Sequence, residues 1–374
     1  MRWITLSLII ALFTFNACSS NSYNLKLRQA QNFLQKRNYD QAKTEINRLL
    51  EKYPEEPQPF YLLGTLYYLN GNYSDCLKNF DNAEQRGLKG TSEYYTNRGI
   101  ALYHIGASPE AEKSLQQSIT IRSSAIAHKY LGTIRYDAGD YDGAASSLTE
   151  ASAAFSDDVD ILYRLGMALY RKGNVAGSLE AFERALPLAP ENDDIMFHTA
   201  HLLMLDEQLN AAASLFEKIP PESNYSDNSI YNAGEAYLRL GNYQSAAIIL
   251  KKYIKTHSDD YEALYNLSAA LIKNEDYTAA IDILSTLYER GNLNVRVAYN
   301  IGLAFQGLGT YSQSLLPLEF AVENEPNNTS YRYAYGLSLT ENGEIVEAGE
   351  QIKSILSIDP SHENAREWLE GFED

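Results

Sequence analysis

The chain has 374 residues, with 31 Lys and Arg against 49 Asp and Glu, and a formal net charge of −18. This balance argues against a protein whose main task is to grip nucleic-acid phosphates, because such binding needs clustered cations. Two cysteines and six histidines cannot build a disulfide framework and leave little material for a zinc site, so neither a metal nor a cofactor is expected.

The first 17 residues have the pattern of a secretory signal peptide. Arg2 precedes a largely apolar run from Ile4 to Phe15. The run is shorter than the roughly 20 apolar residues that span a bilayer, and its shape is typical of a cleaved signal. Cleavage after Ala17 would make Cys18 the first residue of the mature chain. One alternative is a plain signal peptide in which Cys18 is incidental.

The residues around this cleavage point resemble the lipobox of bacterial lipoproteins: bulky Phe15, small Ala17 and then Cys18. The resemblance implies a diacylglyceryl thioether on the sulfur of Cys18 and a fatty-acyl group such as palmitate on its amine. Two or more acyl chains give stable anchoring. Residues 18–22 would form a short lipidated tether, and Ser19, by resemblance to envelope lipoproteins, favours the outer membrane, facing the periplasm.

The rest of the chain is one repeat of 34 residues, present ten times between residues 23 and 362, with one compensated shift near Gly87. Positions 8 and 20 of the repeat are small in all ten units. The repeats start at Tyr23, Pro57, Ser92, Ala125, Val159, Asp193, Asp227, Tyr261, Val295 and Thr329. Position 8 is Ala30, Gly64, Gly99, Gly132, Gly166, Ala200, Gly234, Ser268, Gly302 and Gly336. Position 20 is Ala42, Cys76, Ala111, Ala144, Ser178, Ala212, Ala246, Ala280, Ser314 and Ala348.

Each repeat predicts two amphipathic helices, A then B, whose small residues let the helices approach closely. Pairs such as Gly173-Asn174 between them supply a helix stop and the cap of the next helix. The pattern resembles the tetratricopeptide repeat (TPR) over residues 23–362. This resemblance implies an all-α, right-handed superhelical solenoid of about ten helix-turn-helix units.

Some units depart from the pattern, and a further helix follows the last one. Glu207 replaces the turn glycine of the sixth unit, and Pro317 lies inside helix B of the ninth, where a kink is expected. Residues 363–374 predict a C-terminal capping helix, because an exposed end repeat needs a cover. Its apolar stripe is Ala365, Trp368, Leu369 and Phe372.

Position 5 of helix A is aromatic in seven of ten units, and in TPR proteins this helix lines the concave groove. Stacked repeats would place these rings in a ladder suited to peptide recognition. The alternative is that the rings pack between neighbouring helices. The seven residues are Tyr61, Tyr163, Phe197, Tyr231, Tyr265, Tyr299 and Tyr333.

Position 6 adds Asn232, Asn266 and Asn300 in three consecutive units. A side-chain amide can donate to and accept from a peptide backbone at once. The arrangement resembles the asparagine ladder with which some TPR proteins hold extended peptides. The alternative is an asparagine that caps a helix or binds water.

The sequence predicts a binding protein rather than an enzyme, since neither a phosphate-binding loop nor a nucleophile motif occurs. His198 and His201, with Asp194 one turn earlier, could serve as metal ligands, but their repeat positions favour groove residues. We expect a membrane-anchored scaffold that binds extended peptide segments of envelope proteins, as an assembly or secretion accessory. The alternatives are a polysaccharide-export accessory that binds glycan in the same groove, and an adaptor that recruits a hydrolase. Oligomeric state is left open.

Overall fold

The computed structural model describes residues 21–291 and 294–373, and all regular structure in these ranges is helical. The all-α prediction is therefore confirmed for the described part of the chain. The predicted signal segment and Cys18 lie outside these residues. The first helix begins at Asn21, so the end of the predicted tether is already helical.

The chain divides into two compact units, of which the first ends at Ala189. It contains ten helices and a closing 3-10 turn, Leu186–Leu188. The helices are α1 (Asn21–Gln35), α2 (Tyr39–Lys52), α3 (Pro57–Leu69), α4 (Tyr73–Gln85), α5 (Ser92–His104), α6 (Ser108–Ile121), α7 (Ala125–Asp137), α8 (Tyr141–Ala154), α9 (Val159–Arg171) and α10 (Val175–Ala185).

The second unit begins at Pro190 and contains the remaining eleven helices of the described residues. They are α11 (Asp193–Leu205), α12 (Leu209–Phe216), α13 (Ser226–Arg239), α14 (Tyr243–Tyr253), α15 (Tyr261–Lys273), α16 (Tyr277–Glu289), α17 (Val295–Gly307), α18 (Tyr311–Asn324), α19 (Thr329–Glu341), α20 (Ile345–Ile358) and α21 (Glu363–Glu373).

Small residues bring the two helices of each repeat into close contact. Every residue at position 20 is fully buried. In the fifth repeat the Ser178 hydroxyl donates to the Gly166 carbonyl at 2.7 Å, which joins position 20 directly to position 8. A Cβ added to Gly302 would lie only 2.4 Å from Cγ of Leu318. The small-residue pattern therefore reflects backbone contact between paired helices.

The turns between paired helices use a left-handed residue, followed in several repeats by a side-chain cap. Gly173 has φ of 83°, and the Asn174 side chain accepts from the backbone N–H of Gly177. Glu207 adopts φ of 61° in the sixth repeat, so the turn keeps its geometry without glycine. A side chain in this region costs about 1–2 kcal/mol, which explains why glycine is used in most turns.

The last helix covers the end of the tenth repeat. Ala365 is fully buried, and Trp368 and Leu369 pack against Ile352 and Ile355 of α20. The indole Nε1 of Trp368 donates to the Thr340 hydroxyl at 2.9 Å. These contacts fit the predicted cap, while the side chain of Phe372 lies outside the described part of the structure.

Helices A and B form two different faces within each unit. Consecutive A helices contact one another directly, as α15 and α17 or α17 and α19 do, whereas consecutive B helices are joined mainly through the A helix between them. We call the surface of α13, α15, α17 and α19 the A face. The surface of α14, α16, α18 and α20 is the B face.

Candidate functional site

Position 5 of the second repeat is a core position, so the assignment of Tyr61 to a groove is wrong. The Tyr61 side chain has no exposed surface. Its ring stacks on Phe80 with centroids 5.6 Å apart and lies 6.1 Å from the ring of Tyr94. Because these rings enclose it, burial raises the pKa of the Tyr61 phenol to about 12.

Tyr163 is the other predicted groove residue of the first unit. It lies on α9, is partly exposed, and meets the ring of Phe182 edge-on at 5.8 Å. This contact joins it to the core of its own helix pair. The remaining five aromatic residues all lie in the second unit.

The five rings of the second unit are partly exposed, and most of them contact a residue near the start of the next helix A. A side chain from the start of the next repeat therefore lies against most of the rings, an arrangement that we call the staircase. Four contacts follow this rule: Phe197 with Tyr225 at 4.4 Å, Tyr265 with Arg296 at 4.0 Å, Tyr299 with Tyr331 at 4.5 Å, and Tyr333 with His362 at 5.5 Å.

The fifth ring, Tyr231, is linked to the next repeat by an asparagine. Nδ2 of Asn266 donates to the Tyr231 hydroxyl at 3.2 Å. Asn232, beside Tyr231 on α13, is partly exposed. Position 5 of this repeat and position 6 of the next thus lie together on the A face.

Asn300 differs from its two equivalents because its side chain is only 6% exposed. Its Nδ2 atom has no hydrogen-bond partner among the described residues. A buried donor left unsatisfied costs about 1–3 kcal/mol. Asn300 therefore offers little surface to a ligand in this conformation, and Asn232 and Asn266 are the accessible amides.

Charged groups lie near the position-5 rings of the A face. Burial, and then the carboxylates of Glu235, Asp260 and Glu262, raise the pKa of Tyr231. The guanidinium of Arg296 lies over the ring of Tyr265 and 3.7 Å from Glu262. The A face is consequently a mixture of aromatic surface, amides and charge.

The two histidines of α11 are part of an aromatic cluster. The rings of His198 and His201 lie 5.7 and 6.4 Å from that of Phe197. Asp194 accepts a hydrogen bond from the Tyr225 hydroxyl at 2.6 Å. Within residues 21–291 and 294–373, no group of three His, Cys, Asp or Glu side chains is arranged to hold a metal ion.

Sequence reasoning missed Tyr225, Arg296 and Tyr331, the side chains that lie against the rings of Phe197, Tyr265 and Tyr299. Arg296 occupies position 2 of its repeat and Tyr331 position 3, which are the first helical turn of helix A. The signal was present, since position 2 precedes position 5 by three residues and therefore lies on the same face of helix A. Its aromatic partner in the preceding repeat could not be read from the period alone.

Paired helices that meet at small residues, and side chains that recur at the repeat spacing on one face, define a helical repeat protein. The chain belongs to the tetratricopeptide repeat family. The family model matches residues 27–75, 131–193, 231–294 and 299–363, more than half of the chain. The TPR fold supports a scaffold for protein–protein interaction.

Solved structures with the same helical repeats are similar only at low identity. The C-terminal part of a TPR repeat-containing protein from Cytophaga hutchinsonii is 19% identical, covering 64% of this chain and 99% of that one, with a TM-score of 0.44. YrrB, a TPR protein with an unusual peptide-binding site, is 18% identical over 46% of this chain and 88% of its own, with a TM-score of 0.41. No curated protein sequence matches the chain.

None of the helices between residues 21 and 373 that the structure describes combines the length and the apolar character that crossing a bilayer requires.

Proposed function

We propose that this protein is a membrane-anchored scaffold that holds an extended segment of a partner protein on the A face of its second unit. The observation that carries the proposal is the run of partly exposed rings Tyr231, Tyr265 and Tyr299 on consecutive A helices, with Asn232 and Asn266 beside them. We infer that it acts as an accessory factor in the assembly or secretion machinery of a bacterial envelope.

The chemistry of these side chains suits a peptide backbone. Tyrosine gives a large contact area at low conformational cost, and its hydroxyl can pair with a polar group. The amide of Asn232 can donate to a carbonyl and accept from an N–H of the same strand. Because both residue types recur once per repeat, one extended segment can meet the same chemistry several times.

A glycan is the second candidate ligand, since sugar rings also stack on tyrosine. The ring contacts argue against it. Arg296 covers one face of Tyr265 at 4.0 Å, and Tyr331 lies against Tyr299 at 4.5 Å. Sugar stacking needs open ring faces, whereas a peptide can use ring edges, hydroxyls and amides.

Placing a large charge on the A face should block binding without disturbing the core. Asn232→Arg should weaken binding of peptides selected on the wild-type protein from a displayed random library by about tenfold or more. Fluorescence anisotropy of the labelled peptides measures the affinity. The matched control is Ile248→Arg on α14, whose side chain is 61% exposed on the B face.

Both variants should keep the far-UV circular dichroism of the wild type. Equal affinity of the selected peptides for wild type and Asn232→Arg would overturn the A-face proposal. Binding on a glycan array, combined with failure to select any peptide, would replace the peptide by a carbohydrate.

Anchoring rests on the resemblance of the segment before Cys18 to a lipobox. If Cys18 carries the lipid, Cys18→Ser expressed in bacterial cells should incorporate no labelled palmitate and should leave the membrane fraction, because its acyl chains are lost. Cys76→Ser is the control, since Cys76 is fully buried at position 20. Palmitate labelling that survives in Cys18→Ser would contradict the anchor.

A further inference from the structure

A second candidate binding surface lies on the B face, away from the tyrosine staircase. Helices α16 and α18 leave a cleft between them whose floor is α17, and the cleft has a volume of about 460 Å³. This is within the roughly 300–1,000 Å³ of ligand pockets. We call it the outer groove. Its apolar lining includes Ile281, Tyr288, Ile301, Phe305, Leu316 and Phe320.

The outer groove exposes large apolar side chains that a folded surface normally hides. Leu316 is 77% exposed and Tyr288 is 58% exposed, on opposite walls. Single exposed apolar residues are common, but a contiguous concave set marks an interaction site. The two walls and the floor come from three different helices, so the surface is continuous.

Pro317 lies in the wall formed by α18. The helix continues through it from Tyr311 to Asn324, although proline removes the N–H that would bond to the carbonyl of Gln313. Gln313 and Pro317 both line the groove. A residue that is costly within a helix therefore sits at the edge of the cleft.

Helix α18, which forms one wall of the groove, carries carboxylates on its flank toward α20. Burial, and then the carboxylates of Glu319, Glu344, Glu323 and Glu347, raise the pKa of Tyr335, so four carboxylates of α18 and α20 and the turn between α19 and α20 lie around one phenol. None of the four is in an ion pair within the described ranges.

Basic groups near the groove are directed elsewhere. Arg290, which follows α16, donates through its guanidinium to the carbonyl of Ser258 at 2.6 Å. Helix α18 itself contains neither Lys nor Arg. The protein as a whole carries a formal net charge of −18, which favours a partner of opposite charge.

We propose that the outer groove binds a basic amphipathic helix of a partner protein. Apolar side chains at i, i+3, i+4 and i+7 of that helix would enter the cleft. Its lysines and arginines would be attracted by the net negative charge of the protein, to which Glu319 and Glu323 of α18 contribute. The same net charge argues against other occupants, because a second copy of this chain or an anionic membrane would bring like charges together.

A defined peptide tests the proposal on the full-length protein. The probe is a fluorescein-labelled helix of roughly four turns, with Leu at i, i+3, i+4 and i+7 and Lys elsewhere. Leu316→Glu should weaken its binding by about tenfold or more. Val346→Glu is the matched control, because Val346 is 74% exposed on α20 and does not line the groove.

Charge is tested by a second pair of variants. Glu319→Gln with Glu323→Gln should weaken binding and flatten its salt dependence, since exposed charges attract the peptide over the Debye length. Glu180→Gln with Glu183→Gln removes the same charge from α10 of the first unit and should change neither.

Three outcomes would overturn the proposal: equal losses for Leu316→Glu and Val346→Glu, no loss for Leu316→Glu, or a dimer that Leu316→Glu dissociates in sedimentation equilibrium. Asn232→Arg should leave binding of the basic helix intact. The outer-groove proposal and the A-face proposal can therefore be refuted independently of each other.

Discussion

Alkaline pH should destabilise this protein strongly, because its tyrosines are buried as neutral phenols. From Tyr61 alone, we expect the free energy of unfolding to fall by about 2–3 kcal/mol between about pH 10 and pH 12. Burial raises the pKa of Tyr61 to about 12. Chemical denaturation followed by far-UV circular dichroism at a series of pH values measures the effect.

The sign follows from proton binding in the two states. An unfolded tyrosine ionises near its ordinary pKa of about 10, while the folded protein holds the proton on Tyr61 until about pH 12. Between these values the unfolded state binds fewer protons, so stability is complete below pH 10 and is lost as the pH rises. Burial also raises the pKa of several other tyrosines, among them Tyr23, Tyr68, Tyr94 and Tyr253.

Two conservative variants isolate the contribution of burial. Tyr61→Phe should lose about 2–3 kcal/mol less than the wild type over the same pH range, since it cannot ionise. Tyr288→Phe should follow the wild type, because that ring is 58% exposed. A pH dependence of Tyr61→Phe identical to that of the wild type would show that Tyr61 is not the buried group responsible.

The repeat and its boundaries were predictable because the same contact between two helices recurs in every repeat. Eight of the ten predicted repeat starts coincide with the first residue of a helix A, for example Pro57 and Thr329. The exceptions, α1 and α13, begin one or two residues early. Close approach of two helices permits only small side chains at the contact, so the sequence records it directly.

The environment of a position-5 ring was less predictable, because it depends on residues outside its own repeat. Tyr61 and Tyr265 occupy the same repeat position, yet the first is enclosed by Phe80 and Tyr94 and the second is partly exposed beside Arg296. The period fixes the direction of a side chain from its helix. It does not fix which neighbour covers that side chain.

The outer groove was not predicted, for a related reason. Its lining, such as Ile281, Ile301 and Phe320, occupies positions that a repeat pattern assigns to ordinary helix packing. The cleft arises from the separation of α16 and α18 above α17. The separation between consecutive B helices depends on how the repeats stack, so it cannot be read from the sequence of a single repeat.

Glycine-to-alanine substitutions at position 8 of two neighbouring repeats should change stability in opposite directions. A Cβ on Gly302 would lie 2.4 Å from Cγ of Leu318, which is fully buried. A Cβ on Gly336 would meet Ile352 Cδ1 and Gln351 Cβ at 3.6 Å, an ordinary contact. The two glycines therefore occupy equivalent positions with different amounts of space.

Gly302→Ala should lower the free energy of unfolding by about 1–3 kcal/mol, because overpacking outweighs the better helix propensity of alanine. Gly336→Ala should raise it by about 0.5–1 kcal/mol, since the gain in propensity is not opposed by a clash. Urea unfolding of both variants under one set of conditions measures the difference. Because both helices belong to the second unit, the two variants report on the same stack. Stabilisation by both substitutions would mean that the helices can separate without cost, and the small-residue contact would then not be what holds each repeat together.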